Sequence, residues 1–254
     1  MEVLRARDLA RAELTRQITD TARRQLATAG AQGLSLRAVA REMGLASSAL
    51  YRYFSSRDHL LTALIIDAYN AIGETAERVD TAERGAGAGV GSRWLAVCRA
   101  VRGWALDHQH EFALVYGSPV VGYRAPSDTV GPATRTARVL ADILATAIAE
   151  GVLRPPDRPI PEPRLVTREV RALAGEAPEA PYEDVPERAM VLLTNLVGAI
   201  NFELFGHLHN TVTDYDRYFD AVIMMTAAIA GLDVPLEPAM TQESATRSAR
   251  SGLQ

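Results

Sequence analysis

The chain has 254 residues, 48% of them apolar, and a formal net charge of −4. This length suits one large or two small domains with a core. Its single cysteine, Cys98, excludes an intramolecular disulfide framework and is typical of a reducing cytoplasm, the predicted compartment. The longest apolar stretch, residues 189–206, is interrupted by polar side chains, and the charged N-terminus has no signal peptide pattern. No membrane association is therefore predicted.

Charge is distributed unevenly along the chain. Residues 1–60 contain ten arginines and six acidic residues, for a net charge of +4, whereas residues 61–254 have a net charge of −8. A basic end on an acidic body directs electrostatic attraction for a polyanion such as DNA to that end. A chance fluctuation of surface charge remains an alternative explanation of +4 alone.

The first strong pattern is a pair of short helices after an apolar helix over residues 14–30. Apolar residues at helical spacing predict a helix over residues 36–43, with Ser35 placed to cap it through its hydroxyl. Gly44 is a helix stop, and a second short helix is expected over residues 46–53. Two short helices across such a turn form the helix-turn-helix pattern, although an ordinary helical hairpin remains open.

The second of these helices has two faces with different chemistry. Ala46, Leu50 and Phe54 are expected to face the preceding helix, with Ser47 and Tyr53 at the edges. The outward residues are small or able to donate hydrogen bonds: Ser48, Ala49, Tyr51 and Arg52. Small residues allow the backbone to approach base edges, and Ser, Tyr and Arg are typical phosphate donors.

The remaining elements are also predicted to be helical, because no segment shows sustained alternation of apolar and polar residues. The GAGAGVG run at residues 85–91 separates the first two of them, and eight prolines between residues 155 and 186 indicate a long irregular loop containing a short helix. The tail, residues 235–254, is predicted to be disordered. The expected helices cover residues 57–84, 92–108, 111–117, 131–151, 165–174, 186–208 and 214–232.

The last two helices are apolar around most of their circumference. Such a helix needs cover on more than one side, and a second subunit, a ligand or full enclosure in a core could supply it. On the first interpretation, residues 186–232 form a dimer interface, with Ile223 and Ile229 as candidates for the partner-facing side.

Residues 14–68 contain Leu50-Tyr51-x-x-Phe54, followed by Ser56-Arg57-Asp58 and Leu60-Leu61. Through these motifs the segment resembles the DNA-binding head of the TetR-type transcriptional regulators. It implies that Ser35, Tyr51 and Arg57 contact phosphates and that Arg37 reaches a base. With the outward face, the predicted DNA-binding residues are Ser35, Arg37, Ser47, Ser48, Ala49, Tyr51, Arg52, Tyr53 and Arg57. The family's usual Ser-Lys-Gly-Thr opening is replaced by residues 46–49, Ala-Ser-Ser-Ala, which leaves the operator sequence undetermined.

The stretches VRGWALDHQHEFALVYG and LVGAINFELFGHL resemble the body of a TetR subgroup common in actinobacteria, with a WHG-like C-terminal domain. This resemblance implies a four-helix dimer bundle and a cavity for a small apolar effector among the middle helices. Plain core packing is the alternative for any single aromatic residue. The predicted ligand-binding residues are Trp94, Trp104, Phe112, Tyr116, Asn195, Asn201 and Phe202.

No motif indicates a catalytic residue, a metal site or a cofactor. The pairs His108-x-His110 and His207-x-His209 lie two residues apart, which places their side chains on different sides of a helix. No P-loop, GxGxxG, GxSxG or HExxH pattern occurs in a suitable context. An enzyme is therefore not predicted.

The predicted fold is all-α. An N-terminal three-helix helix-turn-helix head (residues 8–56) is joined by a long helix to a helical-bundle ligand-binding and dimerisation body (residues 57–234). The predicted function is a ligand-responsive transcriptional regulator, a repressor that binds a palindromic operator as a homodimer. The alternatives are a ligand-independent DNA-binding architectural protein and a helical enzyme or carrier.

Overall fold

The computed structural model describes residues 2–155, 165–172 and 178–235, with side chains from residue 7. Within these ranges the regular structure is helical and contains no strand, so the all-α prediction is confirmed. None of the described helices is both long and apolar enough to cross a membrane. The predicted disorder after residue 235 lies outside the described residues. The helices are α1 (Glu2–Gly33), α2 (Leu36–Glu42), α3 (Ser47–Leu50), α4 (Arg57–Gly85), α5 (Val90–Asp107), α6 (Gln109–Tyr116), α7 (Val130–Ala133), α8 (Arg135–Ala149), α9 (Arg168–Arg171), α10 (Val185–Leu204) and α11 (Tyr215–Ile229).

The head forms around its own apolar core. Helices α1 and α2 each have one apolar face at helical spacing, and these two faces pack together with the start of α4. The core therefore extends past residue 56, where the head was predicted to end. Its buried members are Ile18, Ala22, Leu34, Leu36, Val39, Ala40, Leu50, Phe54, Leu60, Leu61, Leu64 and Ile65.

The turn between α2 and α3 is closed as its sequence predicts. Gly44 has φ +67°, a conformation that favours glycine, and the N–H of Leu45 donates to Ala40 O at 2.9 Å. Ser35 occupies the N-cap position of α2, but its side chain makes no capping hydrogen bond, so that detail of the prediction was wrong. Ala46, expected to be inward, is exposed.

Helix α3 is shorter than the predicted helix over residues 46–53. Beyond Leu50 the chain tightens into a turn in which the N–H groups of Arg52 and Tyr53 donate to carbonyls three residues back, on Ala49 and Leu50. Phe54 then returns to the core, and its N–H donates to Leu50 O at 3.0 Å. This turn holds Tyr51 and Arg52 on the outside of the head.

Helix α4 joins the head to the body as one continuous helix of 29 residues. At 1.5 Å per residue it is about 43 Å long. The Ser56 side chain accepts a hydrogen bond from the N–H of His59 at 3.1 Å, and Asp58 places a negative charge in the first turn. Because α4 is continuous, a movement of its C-terminal part in the body is transmitted directly to the head.

The body packs α5 to α11 around a second core, which contains Trp94, Phe112 and Phe219. Cys98 is fully buried there and burial raises the pKa of its thiol, as expected for a structural cysteine. The helix predicted over residues 131–151 is divided into α7 and α8 at Thr134.

One buried arginine joins three helices of the body. The Arg102 guanidinium on α5 donates to both carboxylate oxygens of Glu203 on α10, at 2.7 and 2.8 Å, and to Asp216 on α11 at 2.7 Å. It also lies over the ring of Phe219, 5.1 Å from the centroid. These contacts fix α10 and α11 on α5 and so determine which sides of the two helices remain outside.

Candidate functional site

The outward face of the head carries the residues predicted to contact DNA. Arg37, Ser48, Tyr51 and Arg52 are exposed. Among the side chains that the structure describes, neither Arg37 nor Arg52 has a carboxylate partner, so both guanidinium groups can donate to an anion. The remaining predicted residues are partly buried: Ser35, Ser47, Ala49, Tyr53 and Arg57.

The two tyrosines of the turn after α3 have different environments. Tyr53 packs against the head core, and the Arg11 guanidinium of α1 lies 5.2 Å from the centroid of its ring. Tyr51 is 46% exposed and points away from that core. Tyr51 is therefore the better placed of the two to reach a phosphate.

Arg57 has internal partners that the sequence did not indicate. Its Nη2 donates to Ala31 O at 2.7 Å and its Nε donates to Leu34 O at 3.2 Å. Both carbonyls belong to the end of α1 and the segment that leads into α2. Arg57 thus joins the start of α4 to the rest of the head, and the phosphate contact predicted for it stays a prediction.

Replacing Arg57 with Met tests which of these roles dominates. If Arg57 is a positioning residue, loss of two hydrogen bonds to carbonyls should lower the stability of the protein by about 1–3 kcal/mol. The salt dependence of DNA binding should stay the same, because no phosphate contact is lost. Thermal unfolding and DNA titration over a range of salt concentrations give the two readings.

A direct phosphate role for Arg57 predicts a weaker salt dependence of DNA binding, whereas the hydrogen bonds to Ala31 O and Leu34 O are lost in either case. Arg41 is the matched control, since it is exposed on α2 and was not predicted to contact DNA.

An ion-pair network lies where the head meets the body. Arg23 of α1 binds Asp20 at 2.6 Å, Asp67 of α4 at 2.7 Å and Glu111 of α6 at 3.5 Å. Burial raises the pKa of the Asp67 carboxyl group, and the positive charge of Arg23 partly offsets this rise. The same joint contains a hydrogen bond between the Thr62 and Tyr123 hydroxyl oxygens, 2.9 Å apart. The position of α6 is therefore coupled to that of α1 and α4.

The residues predicted to line a ligand site lie in different surroundings in the part of the chain that the structure describes. Trp94 and Phe112 are fully buried in the body core. Trp104 stacks on His108 with ring centroids 4.7 Å apart. Tyr116 packs on Phe112, and its carbonyl accepts a hydrogen bond from Asn201 Nδ2 at 3.2 Å.

The remaining two of the seven predicted residues, Asn195 and Phe202, lie on a different surface. They line a shallow pocket of about 370 Å³ between α10 and α11, together with Tyr218. The ligand wall predicted from these seven residues stays a prediction, and part of it is solid core.

A cavity of about 490 Å³ lies elsewhere, between α8, α9 and α10. The described lining residues are almost all apolar, and Arg171 of α9 is the one charged side chain among them. None of the seven predicted ligand residues lines it. On α8 the lining residues recur every four positions, at Ala137, Ala141, Ala145 and Ala149. That repeat of small residues was the available signal in the sequence, and it was overlooked.

The outer face of α10 and α11 is apolar and exposed. Its large residues are between 41% and 65% exposed: Val191, Phe202, Phe205, Tyr218, Met225 and Ile229. Ile223, one of the two candidates for a partner-facing position, is buried in the subunit's own core, so that part of the prediction was wrong. Helical spacing could not separate the two isoleucines, because both sides of α11 are apolar.

Comparison with known proteins gives a consistent result for both halves of the chain. Residues 18–64 match the model of "Bacterial regulatory proteins, tetR family", and residues 94–226 match "Tetracyclin repressor-like, C-terminal domain". The second match alone covers more than half of the chain. The protein belongs to the TetR family.

Individual members of the TetR family are similar to this chain over most of their length. The HTH-type transcriptional regulators Rv1816 of Mycobacterium tuberculosis and Mb1846 of Mycobacterium bovis are each 40% identical over 228 residues, 87% of this chain and 93% of theirs. The solved structure of SCO4313, named as a regulatory protein, has a TM-score of 0.68 at 30% identity. That similarity covers 87% of this chain and 98% of the other.

Membership of the TetR family decides the function class. The chain is a DNA-binding transcriptional regulator and not an enzyme. The predicted resemblance, the all-α fold and the helix-turn-helix head are confirmed.

Proposed function

We propose that this TetR-family regulator acts in the cytoplasm as a ligand-responsive repressor that binds a palindromic operator as a homodimer. We assign DNA binding to residues 8–56, whose core is completed by the start of α4, and regulation and dimerisation to residues 57–234. The exposed apolar face of α10 and α11 carries the proposal, because a monomeric protein rarely leaves so many large apolar side chains together in water.

A two-fold dimer would cover this face with its own copy. Most homodimers pair one surface patch with the same patch of the partner, so the patch must suit itself. The α10–α11 face has this character, with protruding Phe202 and Met225 beside the shallow pocket lined by Asn195. Two heads related by the two-fold axis would read half-sites about 34 Å apart, or a multiple of that spacing.

Within each half-site the head offers two kinds of contact. We place the short α3 helix in the major groove. Its exposed residue Ser48 and the following Tyr51 face the DNA, together with the partly buried Ser47 and Ala49. Arg52 and Ser35 are assigned to phosphates, and Arg37 to a base edge. The experiment that tests operator binding is titration of the protein with fluorescent duplexes from its own promoter region, intact and with one half-site scrambled. Equal affinity for both duplexes would contradict dimeric recognition of a palindrome.

The ligand response is supported by the cavity and by how its wall connects to α4. Helix α8 forms one wall, and Arg135 at its start donates to both carboxylate oxygens of Glu77, at 2.8 and 2.6 Å. The same guanidinium donates to the carbonyl and side-chain oxygens of Asn70, at 3.1 and 2.9 Å. A side chain at Gly73 would collide with Arg135, since its Cβ would lie 2.5 Å from the Arg135 Cβ. A shift of α8 would therefore move α4.

Replacing Arg135 with Met should separate ligand binding from the DNA response. The aliphatic part of the side chain is kept, but the hydrogen bonds to α4 are lost. An effector should still bind the body, while its effect on operator affinity should fall from an expected 5- to 150-fold towards none. Operator titration with and without an effector found by thermal-shift screening measures this.

Arg138→Met is the control for that experiment, because Arg138 is exposed one turn further along the same helix. It should retain the full response. An Arg135→Met protein with an undiminished response would show that another contact transmits the signal.

The second candidate function is a ligand-independent architectural protein that binds DNA. A filled interior would favour it, whereas a cavity of about 490 Å³ beside α8, a helix that packs on α4, favours regulation by a small molecule. A protein that bends DNA strongly and binds no ligand in the screen would support the second candidate.

A further inference from the structure

Helix α1 begins well before the head does. Among the described side chains, the first that packs against the head core is Leu14, and the match to the family model begins at residue 18. Residues 2–13, the α1 extension, lie outside both and form about 18 Å of helix. Residues 7–13 are all exposed. A helix this short with so little packed surface is only marginally stable in water, so the extension is suited to packing against a partner.

One side of the α1 extension is basic. Leu14 and Ile18 turn one side of α1 towards the head core. Arg7 and Arg11 precede Leu14 at spacings of four and three residues, so they continue that same side of the helix. Among the described side chains, neither arginine has a carboxylate partner. The side of α1 that is apolar within the head therefore carries two guanidinium groups beyond its edge.

The position of Arg11 places this basic side next to the outward turn of the head. Its guanidinium lies 5.2 Å from the centroid of the Tyr53 ring, and Tyr53 directly follows Arg52 in that turn. Arg7 lies about one helical turn further out, at about 6 Å along the axis of α1. The basic side of the extension thus starts beside the turn after α3 and leads away from the head.

The acidic residues described in the extension leave this charge largely in place. Glu13 is already paired, since its carboxylate accepts hydrogen bonds from Arg16 at 2.6 and 3.0 Å and from Gln17 at 2.8 Å. Asp8 lies about 100° around the helix from Arg7, and it lines a groove between α1 and the start of α4. A guanidinium group without an acidic partner is well suited to a phosphate, to which it can donate two hydrogen bonds.

We propose that the α1 extension is a further DNA-binding element of this regulator, in which Arg7 and Arg11 bind phosphates next to the half-site that α3 reads. These contacts add affinity without reading sequence, because the phosphate backbone is the same for every base. This assignment rests on the operator-bound dimer proposed above. It adds to the DNA surface an element that lies outside the helix-turn-helix.

Replacing Arg7 with Gln tests the phosphate contact in the full-length protein. Each dimer would lose two contacts, so the slope of log affinity against log salt should decrease by about two. Affinity at physiological salt should fall by about tenfold, and by the same factor for operator and for unrelated DNA. Fluorescence anisotropy at several salt concentrations measures both quantities. An unchanged slope, or a loss confined to the operator, would overturn the assignment.

Two further variants separate a local contact from a general effect of charge. Arg24→Gln removes the same charge from the same helix, but Arg24 is paired with Glu42 at 3.0 Å, so the slope should stay almost unchanged. Deletion of residues 2–10 removes Arg7 and leaves every described residue of the head core in place. This deletion should lower the slope at least as much as Arg7→Gln does. A shortened protein with the slope of the unmodified chain would overturn the extension as a DNA-binding element.

Hydrogen exchange gives a reading that does not depend on a substitution. In the free protein the amides of residues 2–10 should exchange rapidly, because the exposed first turns of α1 open easily, and operator DNA should slow them. If operator binding depends on Arg52 while DNA leaves this exchange unchanged, the proposed function stands and the role of the extension is overturned. An unmodified chain that binds no duplex would contradict the proposed function itself, and this assignment with it.

Discussion

Replacing Ile229 with Asp is expected to convert the dimer into monomers at micromolar concentration. Ile229 is 65% exposed in one subunit and lies on the α10–α11 face, which we place at the two-fold interface. A two-fold dimer would bury two unpaired carboxylates, each at a cost of at least about 2 kcal/mol. The dissociation constant should therefore rise by roughly a thousandfold. Sedimentation velocity measures the change directly.

Operator affinity should fall when the dimer dissociates, because two linked heads bind the operator more tightly than one head does. Val152→Asp is the matched control, because Val152 is also an exposed apolar residue but lies outside that face. It should remain dimeric. A monomeric unmodified chain, or an Ile229→Asp variant that stays dimeric, would contradict the proposed interface. Ile223→Asp is a poor test, because Ile223 is buried and the subunit itself would unfold.

Replacing Arg52 with Ala is expected to weaken binding to every duplex, whatever its sequence. Arg52 is exposed beside Tyr51 on the outward face of the head. Each dimer would lose two phosphate contacts, so the slope of log affinity against log salt should decrease by about two, and affinity at physiological salt by roughly ten- to thirtyfold. Fluorescence anisotropy at several salt concentrations, with operator and with unrelated DNA, gives both numbers.

Arg138→Ala changes the net charge by the same amount on the body and should leave the slope almost unchanged. Arg37 offers an internal comparison, because it is assigned to a base edge: Arg37→Ala should also narrow the difference between operator and unrelated DNA, by about 1–3 kcal/mol per half-site. An unchanged slope for Arg52→Ala would remove Arg52 from the DNA surface.

The sequence by itself determined the head and the order of the helices. The signals there are local, since the apolar spacing of α2, the left-handed Gly44 and the return of Phe54 to the core all act within a few residues. The outward direction of Tyr51 and Arg52 follows from the same short-range geometry. The errors in the head were also local: Ser35 makes no capping hydrogen bond, Ala46 is exposed, and a tighter turn replaces the last part of the predicted α3 helix.

Tertiary structure alone decided what each side of a long apolar helix meets. Ile223 and Ile229 look alike in the sequence, yet one is buried and the other exposed, because packing of α11 on α5 and α10 fixes its rotation. Arg57 and Arg135 likewise find their partners 23 to 26 and 58 to 65 positions away. The cavity beside α8 forms because small alanine side chains of α8 face α10, a helix about fifty residues later in the chain. Periodicity reports only that a side is apolar, whereas the choice between core, cavity and partner surface depends on contacts between segments distant in sequence.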